Sequence, residues 1–136
     1  MTLTNNTIIE HLMVIDDNDL DQRLYKRIID RSGVVARLTQ FTNPQEALTY
    51  LFAPDKDRPD LILLDINMPQ MSGFEVLDAL SRRTGQPSCP VIVMLTTSLN
   101  PADRNRAESY DIVHDFQNKP LTVEMLHEIT ALVRAA

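Results

Sequence analysis

Three stretches of the 136-residue sequence, "LMVI" at 12–15, "LILL" at 61–64 and "VIVML" at 91–95, are apolar at every position and no longer than a strand. A strand with one face in water alternates apolar and polar residues, so an unbroken apolar run belongs to a strand covered on both faces. Two further runs, "VVARLTQF" at 34–41 and "DIVHDF" at 111–116, carry Arg37, Gln40, His114 and Asp115 and suit the edges of a sheet. The segments between the runs have helical spacing. Leu20, Leu24 and Ile28 recur every four residues, Ala47, Leu48 and Leu51 form a second apolar set, and Phe74, Leu77 and Leu80 recur every three. Strict alternation of strand and helix implies parallel strands joined by right-handed crossovers, with helices on both faces.

With the polar runs outermost, the strand order is 2-1-3-4-5, the doubly wound α/β arrangement of flavodoxin-like folds, five strands and five helices with a ligand crevice at the carboxyl ends of strands 1 and 3. Local signals agree. Asn43-Pro44 and Asn100-Pro101 place a capping side chain before a proline at the first helical position, and Gly33 sits where the first helix should stop. The last helix should begin near Thr122 and bury Val123, Leu126, Thr130 and Val133. A chain of this length holds one core and is too short for two ordinary domains. The boundaries read as an extension over residues 1–9 and one domain over 10–136.

In this order the strands end in Asp16-Asp17, Asp65 and Thr96, and the fifth runs into Lys119-Pro120. All of these polar groups then share one rim. Any single aspartate there is explained as a helix cap or turn residue, but three carboxylates at one edge repel one another and call for a cation. Oxygen donors without Cys or His suit Mg²⁺ better than Zn²⁺. Lys119 supplies a second positive charge. Pro69 and Gly73 either shape the loop after Asp65 so that its backbone passes near the site or simply punctuate a turn.

The segments "VIDDND", "LILLDINMPQMSGFEVL", "VIVMLTTS" and "FQNKPL" resemble, in order and spacing, the four signatures of bacterial response-regulator receiver domains, from about residue 10 to the end. The resemblance implies that Asp65 accepts a phosphoryl group and that Asp16 and Asp17 are the acidic pair at Mg²⁺, with the backbone carbonyl of Asn67 completing the metal site. It also implies that Thr96 bonds a phosphoryl oxygen, that Lys119 is the site cation, and that Phe116 holds the aromatic switch position, where Tyr is common in the family. The resemblance also puts Ser98 at a position that in this family influences how fast the phosphate hydrolyses. The implied donor is a histidine kinase or a histidine phosphotransfer protein, and the implied readout is an altered face of helix 4, strand 5 and helix 5. Since the sequence stops after the fifth helix, a stand-alone module is expected. The expected protein is no turnover enzyme.

A second reading is an Mg²⁺-dependent phosphohydrolase of the haloacid dehalogenase type, with the same strand-end Asp nucleophile. That chemistry requires a further Asp two residues on, where this chain has Asn67. A degenerate receiver that never takes phosphate would not keep the acid pair, Asp65, Thr96 and Lys119 together. The formal charge of −6 and the lack of a basic stripe argue against direct nucleic-acid binding. No apolar run approaches the ~18 residues of a membrane span. The lone Cys89 forms no intrachain disulfide, and the N-terminus lacks the pattern of a signal peptide, so a cytoplasmic location is expected. His11, His114 and His127 lack ligand spacing and read as ordinary surface or partly buried histidines; the methionines read as core filler. "PADRNRAESY", the fourth helix, has only Ala102, Ala107 and Tyr110 to bury and is expected to pack weakly.

Overall fold

A computed structural model of the chain describes residues 9–82 and 90–135. Its helices begin where side chains take up their free N–H groups. Asn18 Oδ1 accepts from Asp21 N ahead of α1 (Asp19–Ser32), Asn43 caps α2 (Pro44–Phe52), and Asn100 caps α4 (Pro101–Glu108). Ser72 and Glu75 form a reciprocal capping box at α3 (Gly73–Ser81). Thr122 Oγ1 accepts from Met125 N at the start of α5 (Val123–Ala135). Gly33 ends α1 at φ +72°, a left-handed conformation that suits glycine.

The strands are β1 (Ile9–Ile15), β2 (Val35–Phe41), β3 (Leu61–Leu64), β4 (Val91–Thr96) and β5 (Val113–Asn118), all parallel, in the order β2-β1-β3-β4-β5. The expected doubly wound flavodoxin-like sheet is therefore the observed one. Side chains two apart share a face, which divides the core in two. Met13, Ile15, Ile62, Leu64, Ile92 and Met94 pack against α2 and α3 through Ala47, Leu48, Leu51, Phe74 and Leu77. On the other face Leu12, Val14, Leu61, Leu63, Val93 and Leu95 meet Tyr25 and Ile29 of α1 and Leu126 and Ile129 of α5. Each such buried aliphatic side chain contributes roughly 1.5–3 kcal/mol relative to an exposed one.

Several expectations change in detail. The apolar repeat of α1 faces the core only in part: Ile28 packs partly against it, whereas Leu20 and Leu24 are 61% and 47% exposed and the fully buried side is Gln22, Tyr25 and Ile29. Spacing identified the helix, but polar bonds to the strand ends set its rotation. Gln22 Nε2 donates to the carbonyls of Asp16 and Phe41 at 2.9 and 3.0 Å. In α5 the buried residues are Leu126 and Ile129, with Val123, Thr130 and Val133 only partly covered. β1 starts at Ile9, a residue assigned above to the extension, and residues 1–8 and Cys89 lie outside the described residues. His11 is fully buried in β1, its Nε2 2.8 Å from Thr39 Oγ1, whereas His114 and His127 are exposed.

The fourth helix packs as thinly as its composition suggests, with Ala107 its one buried residue. Two arginines compensate. The Arg106 guanidinium lies 4.1 Å from the centroid of the Phe74 ring and that of Arg104 lies 5.0 Å from the centroid of Phe116. No helix among the described residues is long and apolar enough to cross a membrane.

Candidate functional site

The parallel sheet brings the carboxyl ends of β1, β3 and β4 to one rim, and backbone bonds between neighbouring strands fix what stands there. Asp65 N donates to Ile15 O at 3.0 Å, and Asp16 N to Phe41 O at 3.1 Å. Asp16 and Asp65 are buried, whereas Asp17 is exposed. Ligand oxygens of these three residues lie within 4.8 Å of one another. Thr96, fully buried, ends β4, and its carbonyl accepts from Lys119 N at 2.9 Å, so the lysine is placed by the strand beside it. The Lys119–Pro120 peptide bond is cis.

Close approach of the loop after β3 depends on Gly73. Its N–H donates to Ile66 O at 2.8 Å, and a β-carbon there would collide with the carbonyl oxygen of Asp65. Turn punctuation alone does not account for this residue; the backbone of α3 runs directly against the strand end that carries Asp65. Asn67, two residues beyond Asp65, is exposed in the same loop.

Asp65 Oδ1 accepts from the N–H of Ile66 at 2.8 Å, and Oδ2 lies 3.5 Å from Lys119 Nζ. Burial pushes the Asp65 carboxyl above the usual carboxylate range, and the charge of Asp16 pushes it further. Lys119, the Thr96 hydroxyl and the Ile66 N–H act in the opposite direction. The charged form of Asp65 is thus held at a cost that a further cation would reduce. Burial also opposes the Lys119 ammonium, but bonds to Asp16 and Asp21 and the charges of Asp65 and Asp16 outweigh it, and its pKa rises. With oxygen donors alone, on carboxylates that repel one another, the group fits a hard divalent cation such as Mg²⁺.

Two participants were not apparent from the sequence. Asp21 Oδ2 lies 2.9 Å from Lys119 Nζ, and the Tyr25 hydroxyl donates to Asp16 Oδ2 at 2.7 Å. Both sit on the first half of α1, which the packing of that helix lays over the rim; their one sequence signal is a position five and nine residues after Asp16. Phe116 is buried, its ring under Arg104, whose Nη2 donates to the Phe116 carbonyl at 3.2 Å. Ser98 N donates to Thr96 Oγ1 at 3.2 Å, and Ser98 Oγ to Asp103 Oδ2 at the start of α4.

A family model, the response regulator receiver domain, matches residues 12–131. The chain belongs to this family. It is a receiver domain of the kind found in two-component response regulators. Among its relatives is the probable methanogenesis regulatory protein FilR2 of Methanothrix harundinacea, 32% identical over 118 residues, with 85% of this chain and 75% of that protein covered. A two-component response regulator from Cytophaga hutchinsonii superposes with a TM-score of 0.84 at 30% identity, over 94% of this chain and 98% of that one. The Mn²⁺-bound form of response regulator Rcp1 superposes with a TM-score of 0.72 at 25% identity, over 93% and 90% of the two chains. The receiver also matches the hybrid signal transduction histidine kinase C of Dictyostelium discoideum, of which it spans 10%.

Proposed function

We propose that this receiver accepts a phosphoryl group on Asp65 from the phosphohistidine of a histidine kinase or histidine phosphotransfer protein. The observation that carries this reading is the setting of the Asp65 carboxylate: one oxygen is fixed by the Ile66 N–H, and the other opens toward Lys119 and the cluster of Asp16 and Asp17. That second oxygen attacks phosphorus in line; the O–P bond forms as the P–N bond breaks, and the imidazole leaves with the electron pair. Little else is asked of the protein than positioning and electrostatic stabilisation. Lys119 contacts one phosphoryl oxygen, and the Thr96 hydroxyl donates to another. Asp16, Asp17, Asp65 and the carbonyl of Asn67 would hold Mg²⁺, which when bound offsets negative charge on the phosphoryl group. That the neighbour Rcp1 has an Mn²⁺-bound form supports a divalent cation for this chain. The exposed Asn67 side chain has no carboxyl to serve as the general acid of a phosphohydrolase, so the site favours a stored phosphoryl group over turnover of an external ester. A cytoplasmic location accompanies this reading, and no nucleic acid is a direct partner.

The output runs through Thr96 and Phe116. A phosphoryl oxygen that draws the Thr96 hydroxyl toward Asp65 alters the packing of β4 against Phe116, and with it the face of α4, β5 and α5. Reversing a 1:99 population takes about 5.5 kcal/mol, whereas one charge-assisted hydrogen bond supplies roughly 1.5–3 kcal/mol. Lys119 and the lightly anchored α4 therefore take part.

The test is incubation with acetyl phosphate and Mg²⁺ followed by intact mass. The wild type gains one phosphate, the gain is lost on chelation of Mg²⁺, and Asp65→Asn gains none. Undiminished labelling of the Asn variant would overturn the assignment.

A further inference from the structure

Lys119 Nζ is surrounded by three carboxylates, and the nearest two are not the proposed phosphoryl acceptor: Asp16 Oδ2 at 2.8 Å and Asp21 Oδ2 at 2.9 Å, against 3.5 Å to Asp65 Oδ2. An ammonium has three N–H donors and no acceptor; here it donates to Asp21 and Asp65 and is ion-paired with Asp16. The Asp65 oxygen that faces Lys119 is the one that takes the phosphoryl group, so the lysine passes from it to a phosphoryl oxygen, and any shift of Nζ toward that oxygen lengthens its contact with Asp16 or Asp21. Asp16 is poorly suited to let go. Its carboxylate is buried, and it is pinned by Tyr25 Oη at 2.7 Å and Asn18 N at 3.0 Å. The Asp21 side chain is 30% exposed, and water can solvate it when the lysine leaves.

We propose that Asp21 is a positioning residue for Lys119, holding the ammonium at the α1 side of the crevice and competing with the phosphoryl group for it. The inference rests on Asp65 as the acceptor. Asp21 stands apart from the Asp16, Asp17 and Asp65 cluster that would hold the cation, so its negative charge remains opposed to an incoming anion when the metal site is filled. Its removal relieves repulsion and frees the lysine without taking away a metal ligand. The effect is modest because the pair is partly solvated: the usual worth of such a pair corresponds to roughly 2–5-fold in an equilibrium constant.

The experiment uses beryllofluoride, an anionic phosphoryl mimic, titrated into the full chain at saturating Mg²⁺ and followed by ¹⁹F NMR. Asp21→Asn binds it roughly 2–5-fold more tightly than wild type, Asp21→Glu binds it as wild type does, and Asp65→Asn does not bind it. In the metal-free protein, the ¹⁵N-detected Lys119 ammonium protons exchange with water faster in Asp21→Asn than in wild type or Asp21→Glu. Equal or weaker beryllofluoride binding by Asp21→Asn, or unchanged ammonium exchange, overturns the role of Asp21 while leaving Asp65 in place. Absence of binding in the wild type, or retained binding in Asp65→Asn, overturns the acceptor assignment and this inference with it.

Discussion

Tyr25 Oη donates a 2.7 Å hydrogen bond to Asp16 Oδ2, the same oxygen that lies 2.8 Å from Lys119 Nζ. Burial first, then Asp16 and the other carboxylates nearby, raise the pKa of the phenol well above its ordinary value, so it is a donor at neutral pH. One oxygen thus ties α1 and the residue after β5 to the end of β1. Tyr25→Phe removes a bond to a charged group, worth roughly 1.5–3 kcal/mol. The variant is expected to fold and to unfold in urea with stability reduced by about that amount. Unchanged stability would mean that the hydroxyl only fills space.

Gly73→Ala sets a methyl group against the Asp65 carbonyl. Because the contact is with backbone, no side chain can swing away, and either β3 or α3 must shift. The expected cost is about 1–3 kcal/mol, together with slower phosphate uptake from acetyl phosphate because Asp65 itself is displaced. Urea unfolding and intact mass on the same sample check both. Wild-type values in each would show that the loop relaxes freely.

Asp17 is the exposed member of the acidic cluster. Asp17→Asn should leave metal-free stability equal to or above that of wild type, since one of several repelling charges is gone, while weakening Mg²⁺ binding. In the wild type, Mg²⁺ at about 100 times its dissociation constant adds about 2.7 kcal/mol to the unfolding free energy, and a chelator removes the gain. At the same Mg²⁺ concentration Asp17→Asn should gain clearly less. An equal gain would take Asp17 out of the ligand set.

His11 gives a pH dependence of definite sign. Burial, then the charge of Arg37, lower its pKa below the ordinary histidine value of 6.5, against the opposing effects of the Arg58 carbonyl, Asp60 and Asp57. The unfolded chain therefore takes up this proton more readily than the folded one. The stability due to neutral His11 is complete above 6.5, falls as the pH drops through 6.5, and stops falling below the depressed folded value. His11→Gln should lose that component, so its urea midpoint should change less than that of wild type between pH 7.5 and pH 5.5. Parallel profiles would show that other groups carry the dependence.

Arg104 covers the ring of Phe116 and bonds to its carbonyl. Arg104→Ala should loosen the ring, seen as averaged Phe116 aromatic NMR signals in the unphosphorylated protein, at a stability cost of about 0.5–1 kcal/mol. Thr96→Ala should accept phosphate at Asp65 yet show much smaller phosphorylation-induced shifts over residues 101–120 than wild type. Equal shifts in both would place the coupling elsewhere.

Much of the sheet was legible because burial on both faces leaves a local mark. "LMVI", "LILL" and "VIVML" had to be interior strands, and Arg37, Gln40, His114 and Asp115 pointed to the edges, so the order β2-β1-β3-β4-β5 follows from short segments read one at a time. Asp16, Asp17, Asp65, Thr96 and Lys119 were legible for a related reason: each stands at or just beyond the carboxyl end of a strand, and parallel strands bring those ends together. The rotation of α1 was not legible. A spacing of four marks a helix without saying which side meets the sheet, and here Gln22 and Tyr25 turn inward because the carbonyls of Asp16 and Phe41 and the Asp16 carboxylate need donors, leaving Leu20 and Leu24 in solvent. Asp21 and Tyr25 were missed with it, since a helix residue reaches the rim only through that rotation. Only the tertiary structure decided which carboxylates hold Lys119, because a contact between residues 21 and 119 depends on how α1 and the end of β5 lie against each other, and no local pattern records that.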